Sequence, residues 1–101
     1  MKDNTLSFDQ RIDVAIREMI TLGYKPQAFM TMRITDGGTI NAVKKLIHSL
    51  KTPDGFTTLW ELGRLDLSLE NIIQETEWQD LFSDDDRKKA KKRLIDYKYN
   101  V

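Results

Sequence analysis

Residues that start and stop helices recur at short intervals along this sequence, and they confine the chain to short helices. Ser7, Gly23, Pro26, Gly37-Gly38-Thr39, Pro53-Asp54-Gly55, Gly63, Ser68 and Ser83 are the main marks. Between them apolar residues return every three or four positions, the period of a helix packed on one side. Strand-like alternation is confined to residues 64–69 and lies between helix signals, so that stretch reads as a connection. With 101 residues the chain is expected to form one domain over 1–101, with 1–6 a flexible lead. The expected fold is all-α, a compact orthogonal bundle of five to seven short helices.

Local chemistry assigns the helices. Ser7 and Gln10 have capping-box spacing, and Phe8, Ile12, Ala15, Met19 and Leu22 then share a stripe with Ile16 and Ile20 beside it. Gly23 closes that helix. Pro26, at its favoured first position, opens a second helix that runs to about Thr35 and carries Phe29. Thr39 is the expected cap of a third, with Ile40, Val43, Ile47 and Leu50 as its buried stripe and Leu46 alongside. Thr52-Pro53-Asp54-Gly55 reads as a turn. Thr58 with Glu61, and Thr76 with Gln79, repeat the capping-box spacing. Gly63 ends the helix that carries Trp60. Ser68 caps one with Leu69, Ile72 and Ile73. Ser83 caps the last, with Ala90, Leu94 and Tyr97 as its stripe.

Composition excludes several classes. Sixteen basic and sixteen acidic residues cancel, which argues against a protein that coats nucleic acid by bulk charge. A hydrophobic fraction of 40% argues against intrinsic disorder. Cysteine is absent, which removes disulfides, thiolate zinc sites and a cysteine nucleophile. No apolar run approaches the ~18 residues of a membrane span, and Met1-Lys2-Asp3-Asn4-Thr5 does not lead into a signal-peptide core. A cytoplasmic location without membrane attachment is therefore expected.

Catalytic and metal chemistry find little to work with. His48 is the single histidine, and it stands next to the Ile47 stripe as a boundary residue. Asp84-Asp85-Asp86 lacks the spaced oxygens and central glycine of a calcium loop, and reads as dipole-complementing capping of the last helix. Neither an enzyme, a metal, a cofactor nor a small-molecule substrate is expected.

Nucleic-acid binding has two candidate elements. Residues 26–50 read as a helix-turn-helix-like pair, with Asn41, Lys44, Lys45 and His48 on the exposed face of a recognition helix. The C-terminal helix, 84–98, carries six bases over residues 87–93, of which Lys88, Lys91 and Lys92 share a face. The competing reading is a solvated face, with Asp84–Lys88 and Asp85–Lys89 as i,i+4 pairs of about 0.2–0.5 kcal/mol each.

Protein interaction is the alternative. Trp60 and Trp78 are large apolar residues that either pack in the core or anchor a partner. Arg64 and Asp66 are expected to form a buried or capping ion pair at a helix junction, or part of a partner-binding loop.

A longer pattern bears on this choice. Gly55-Phe56, the run Leu59-Trp60-Glu61-Leu62-Gly63-Arg64-Leu65-Asp66-Leu67-Ser68, and Glu70 resemble the motif of a widespread bacterial helical module of unknown function. Trp78, Leu81-Phe82, Ala90, Arg93-Leu94 and Tyr97 continue the resemblance, and Gly23-Tyr24, Phe29, Gly37-Gly38, Ala42 and Leu46 extend it upstream, over about residues 22–98. The resemblance implies an accessory or interaction role with a protein partner or a second copy. The expected function is thus a non-catalytic helical interaction module of a bacterial protein system, with small nucleic-acid-binding protein as the alternative.

Overall fold

In a computed structural model, which describes residues 7–99, every regular element is helical. Six α-helices form among the described residues: α1 (Phe8–Thr21), α2 (Gln27–Thr35), α3 (Thr39–Ile47), α4 (Asp54–Glu61), α5 (Leu69–Ile72) and α6 (Asp84–Asp96). Single 3-10 turns at Leu65–Leu67 and Thr76–Trp78 join α4 to α5 and α5 towards α6. The Cα radius of gyration, 13.0 Å, matches the ~13 Å expected of one packed domain of this length. The proposed N-terminal lead, residues 1–6, lies outside the described residues.

The caps explain where helices begin and end. Ser7 Oγ accepts from the Gln10 amide at 3.1 Å, and Gln10 Oε1 accepts from the Ser7 amide at 2.9 Å, so α1 opens on a reciprocal capping box. It closes through Gly23 at φ +94°, which lets the Tyr24 amide reach back to the Met19 carbonyl at 2.9 Å. Ser83 and Asp86 build a second capping box at α6. Ser68 Oγ caps α5 through the Asn71 amide.

Four sequence expectations are corrected. Gly38, not Thr39, caps α3; Thr39 is its first residue and is buried, its hydroxyl accepting from Arg33 Nε at 2.9 Å. Helix α4 starts at Asp54 behind Pro53, so Thr58 and Glu61 lie inside it rather than opening it. Proline at the boundary removes an amide that would have no partner there. Thr76 makes no side-chain cap; residues 76–78 form a 3-10 turn instead. Leu50, Leu22 and Ile20 are exposed, because α3 ends at Ile47 and α1 turns only its Phe8, Ile12, Ala15, Ile16 and Met19 side inward.

One core joins all six helices. Ile12, Val43, Ile47, Ile72, Ile73 and Leu94 are essentially fully enclosed, each contributing about 1.5–3 kcal/mol through burial. Phe8 meets Trp78 and Phe82 edge-on, both at 5.3 Å between ring centroids, and pins α1 to the segment before α6.

Ion pairs fix the outer frame. Arg33 reaches Asp13 at 2.7 Å and ties α2 to α1. Arg11 grips Glu75 at 2.7 Å, and Glu75 also accepts from the Trp78 indole N–H at 2.8 Å. No helix of the described residues is long and apolar enough to cross a membrane.

Candidate functional site

Two residues of the basic face of α3, Lys44 and His48, meet α6. Lys44 Nζ stands 3.9 Å from Asp86 and 6.0 Å from the Phe82 ring centroid, and His48 Nε2 bonds the other Asp86 oxygen. Lys45 pairs with Asp36 at 3.5 Å, and Asn41 Nδ2 returns to the Gly37 carbonyl at 3.4 Å. All four residues expected to read bases make contacts within the fold, while Asn41, Lys45 and His48 stay exposed. An exposed lysine paired with a carboxylate offers a phosphate little net charge.

Asp86 organises this contact. Its burial raises the carboxyl pKa, but the hydrogen bonds from His48 and Ser83 and the charge of Lys44 outweigh that and hold it below the ordinary carboxylate value. It serves two roles at once, capping α6 and receiving α3. The sequence reading found the first role; the second depends on a contact across 38 positions.

On α6, Lys88, Lys91 and Lys92 are all exposed. Lys92 pairs with Asp96 at 3.3 Å. The expected pairs of Asp84 with Lys88 and Asp85 with Lys89 do not form among the described residues; Asp84 binds Arg87 at 2.8 Å instead.

The other candidates separate cleanly. Trp78 is 7% exposed and belongs to the core, so it does not face a partner. Trp60 is 49% exposed, and its ring is held edge-on against Tyr97 at 5.3 Å, which in turn meets Phe56 at 5.0 Å. Arg64 and Asp66 form the expected pair at the junction, with two hydrogen bonds of 2.9 and 3.1 Å, though both stay partly exposed. Glu18 of α1 approaches Arg64 at 3.7 Å. The Arg64 hydrogen bond holds the Asp66 carboxyl below its ordinary pKa. Gly63 at φ +72° makes this geometry possible by letting the Arg64 amide return to the Leu59 carbonyl.

Two features were not legible in the sequence. The first is a buried ion pair: Arg93 Nη1 meets Glu70 at 2.7 Å, and the same guanidinium donates to the carbonyls of Leu46, Ile47 and Ser49. Burial raises the Glu70 pKa, opposed by Arg93. This arginine closes the C-terminal end of α3, whose carbonyls have no helical partner.

The second is a cleft of about 260 Å³ between the end of α1, α2, α4 and the start of α5. Met19, Phe29, Phe56, Leu59 and Leu69 line it, with Tyr24, Asp54 and Glu70 as its main polar members. No group of three or more histidine or carboxylate side chains that could hold a metal ion exists among the described residues. No protein-family model matches the chain, and no curated protein or solved structure matches it either.

Proposed function

We propose that this chain is a non-catalytic interaction module of a bacterial protein system, working in the cytoplasm by engaging a protein partner or a second copy of itself. The observation that supports this best is Trp60, a half-exposed tryptophan fixed in orientation by Tyr97. Aromatic side chains that are already immobile lose little entropy on binding and dominate interface energies. Arg64 and Asp66 lie just beyond Trp60 in sequence and, already paired with each other, would supply a polar rim.

Nucleic-acid binding is the second reading, and the exposed Lys88, Lys91 and Lys92 of α6 favour it. The zero net charge and the pairing of the α3 bases weigh against it.

Photocrosslinking in the native host separates the two. A crosslinking amino acid at position 60 should trap one discrete protein species, and one at position 88 should not. Nucleic acid trapped from position 88, with nothing from position 60, would overturn the interaction reading. In that case Lys88, Lys91 and Lys92 changed together to Glu should abolish the mobility shift of DNA or RNA while the fold is kept.

A further inference from the structure

We infer that the cleft between α2, α4 and α5 binds a small aromatic amine, the ring inside and the ammonium at the mouth. The inference goes beyond the partner surface at Trp60 and does not depend on it.

Size sets the first limit. An apolar cavity of about 150 Å³ takes up benzene, so about 260 Å³ admits a fused two-ring system with a short tail. The walls fit such a ring. Phe29 comes from α2, Phe56 and Leu59 from α4, Leu69 from α5 and Met19 from the end of α1. Small-molecule sites are typically concave and apolar, with a few converging polar groups that set orientation.

The polar groups choose the charge. Three line the cleft with capacity to spare. Glu70 is only 3% exposed, and Arg93 is the one other residue among those described that donates to its carboxylate. A carboxylate accepts more than one donor, so a ring N–H can be received there. The Tyr24 hydroxyl makes no hydrogen bond among the described residues and stands where it closes over Gly55, at 2.7 Å from the position a Cβ would take. Asp54 is exposed and forms no ion pair among the described residues. Arg93 offsets Glu70, which leaves Asp54 as the net charge of the site. No lysine or arginine lines the cleft. A cation is therefore attracted, whereas the matching carboxylate would be repelled and would find no counter-charge.

Tryptamine and indole-3-acetate are the probes, with affinity read by calorimetry and location by amide shifts. Tryptamine should bind saturably, with shifts centred on Tyr24, Leu59 and Leu69. Asp54→Asn should weaken it about tenfold, a loss of ~1.4 kcal/mol. Indole-3-acetate should bind at least as much more weakly. Ala28→Trp, which adds bulk at an exposed position on the rim, should abolish binding without touching the core. Glu70→Gln should weaken binding too, but it disturbs the Arg93 pair; Tyr24→Phe, which deletes only a hydroxyl, is the companion variant and should lower affinity while leaving stability nearly unchanged. Equal affinity for the amine and the acid would overturn the inference. So would shifts centred on Trp60, or no binding at about 10 mM, where even a millimolar ligand would saturate.

Discussion

At the residue scale, Asp86 and Gly55 are the positions where one side chain decides most. Asp86 caps its own helix while binding His48 and Lys44 of another. Its carboxyl pKa, like that of Asp66, is held below the unfolded value. The stability these groups add is therefore complete above the unfolded value of about 4 and lost as pH falls through their folded pKa values. Glu70, pushed up by burial, has the opposite sign: its ionisation costs stability as pH rises. We expect Asp86→Asn to lower stability by about 1–2 kcal/mol at pH 7 and to flatten the loss between pH 5 and pH 2, in urea unfolding at a series of pH values. An unchanged acid slope would show that Asp86 is not a stabilising group. Gly55 lies within α4 and has no positive φ; what it provides is room for the Tyr24 hydroxyl. Gly55→Ala alone should be neutral or destabilising. In a Tyr24→Phe background it should stabilise by about 0.5–1 kcal/mol, the ordinary gain of alanine inside a helix. Identical effects in the two backgrounds would rule out the clash.

At the scale of elements, short helices depend on their ends. α5 has four residues and cannot persist alone, so Ser68 and the packing of Ile72 and Ile73 hold it. Gly63 stops α4 at φ +72° with open space where a Cβ would stand, so a substitution there meets backbone strain and no collision. Gly63→Val should cost about 1–2 kcal/mol and Gly63→Asn distinctly less, in thermal or urea unfolding. Equal costs would point to a packing role. These ends were the most legible part of the sequence. Ser7, Gly23, Gly63, Ser68 and Ser83 all act within four or five residues of themselves. The failures have the same origin. Thr58 and Thr76 have cap spacing, but Pro53 starts α4 earlier, and the segment at Thr76 is held by Trp78 and Glu75 in a tighter turn.

At the scale of the whole molecule, the Glu70–Arg93 pair joins α3, α5 and α6. Arg93 neutralises a buried carboxylate and satisfies three carbonyls at the end of α3. Arg93→Leu should destabilise the protein by about 3–5 kcal/mol, since it leaves Glu70 buried and unpaired. Adding Glu70→Leu should recover only part of that, because the Ile47 and Ser49 carbonyls lose the Arg93 donor. Full recovery in urea unfolding would mean that the carbonyl contacts carry no weight. The same assembly shapes the cleft, since Glu70 and Leu46 both line it.

The sequence by itself determined that this chain is helical, that its helices are short, where most of them end, and which of their faces are apolar. Those properties are set by a residue's own backbone preferences and by neighbours three or four positions away, so they are written locally. Tertiary structure decided what the charged and aromatic residues do. Trp60 and Trp78 look equivalent in sequence, yet one is half-exposed and the other sits in the core against Phe8. Lys44 and His48 look unpartnered in sequence, yet Asp86 is brought against them from 38 and more positions away. Long side chains can choose among many partners, and only the packing of one helix on another fixes which partner is within reach.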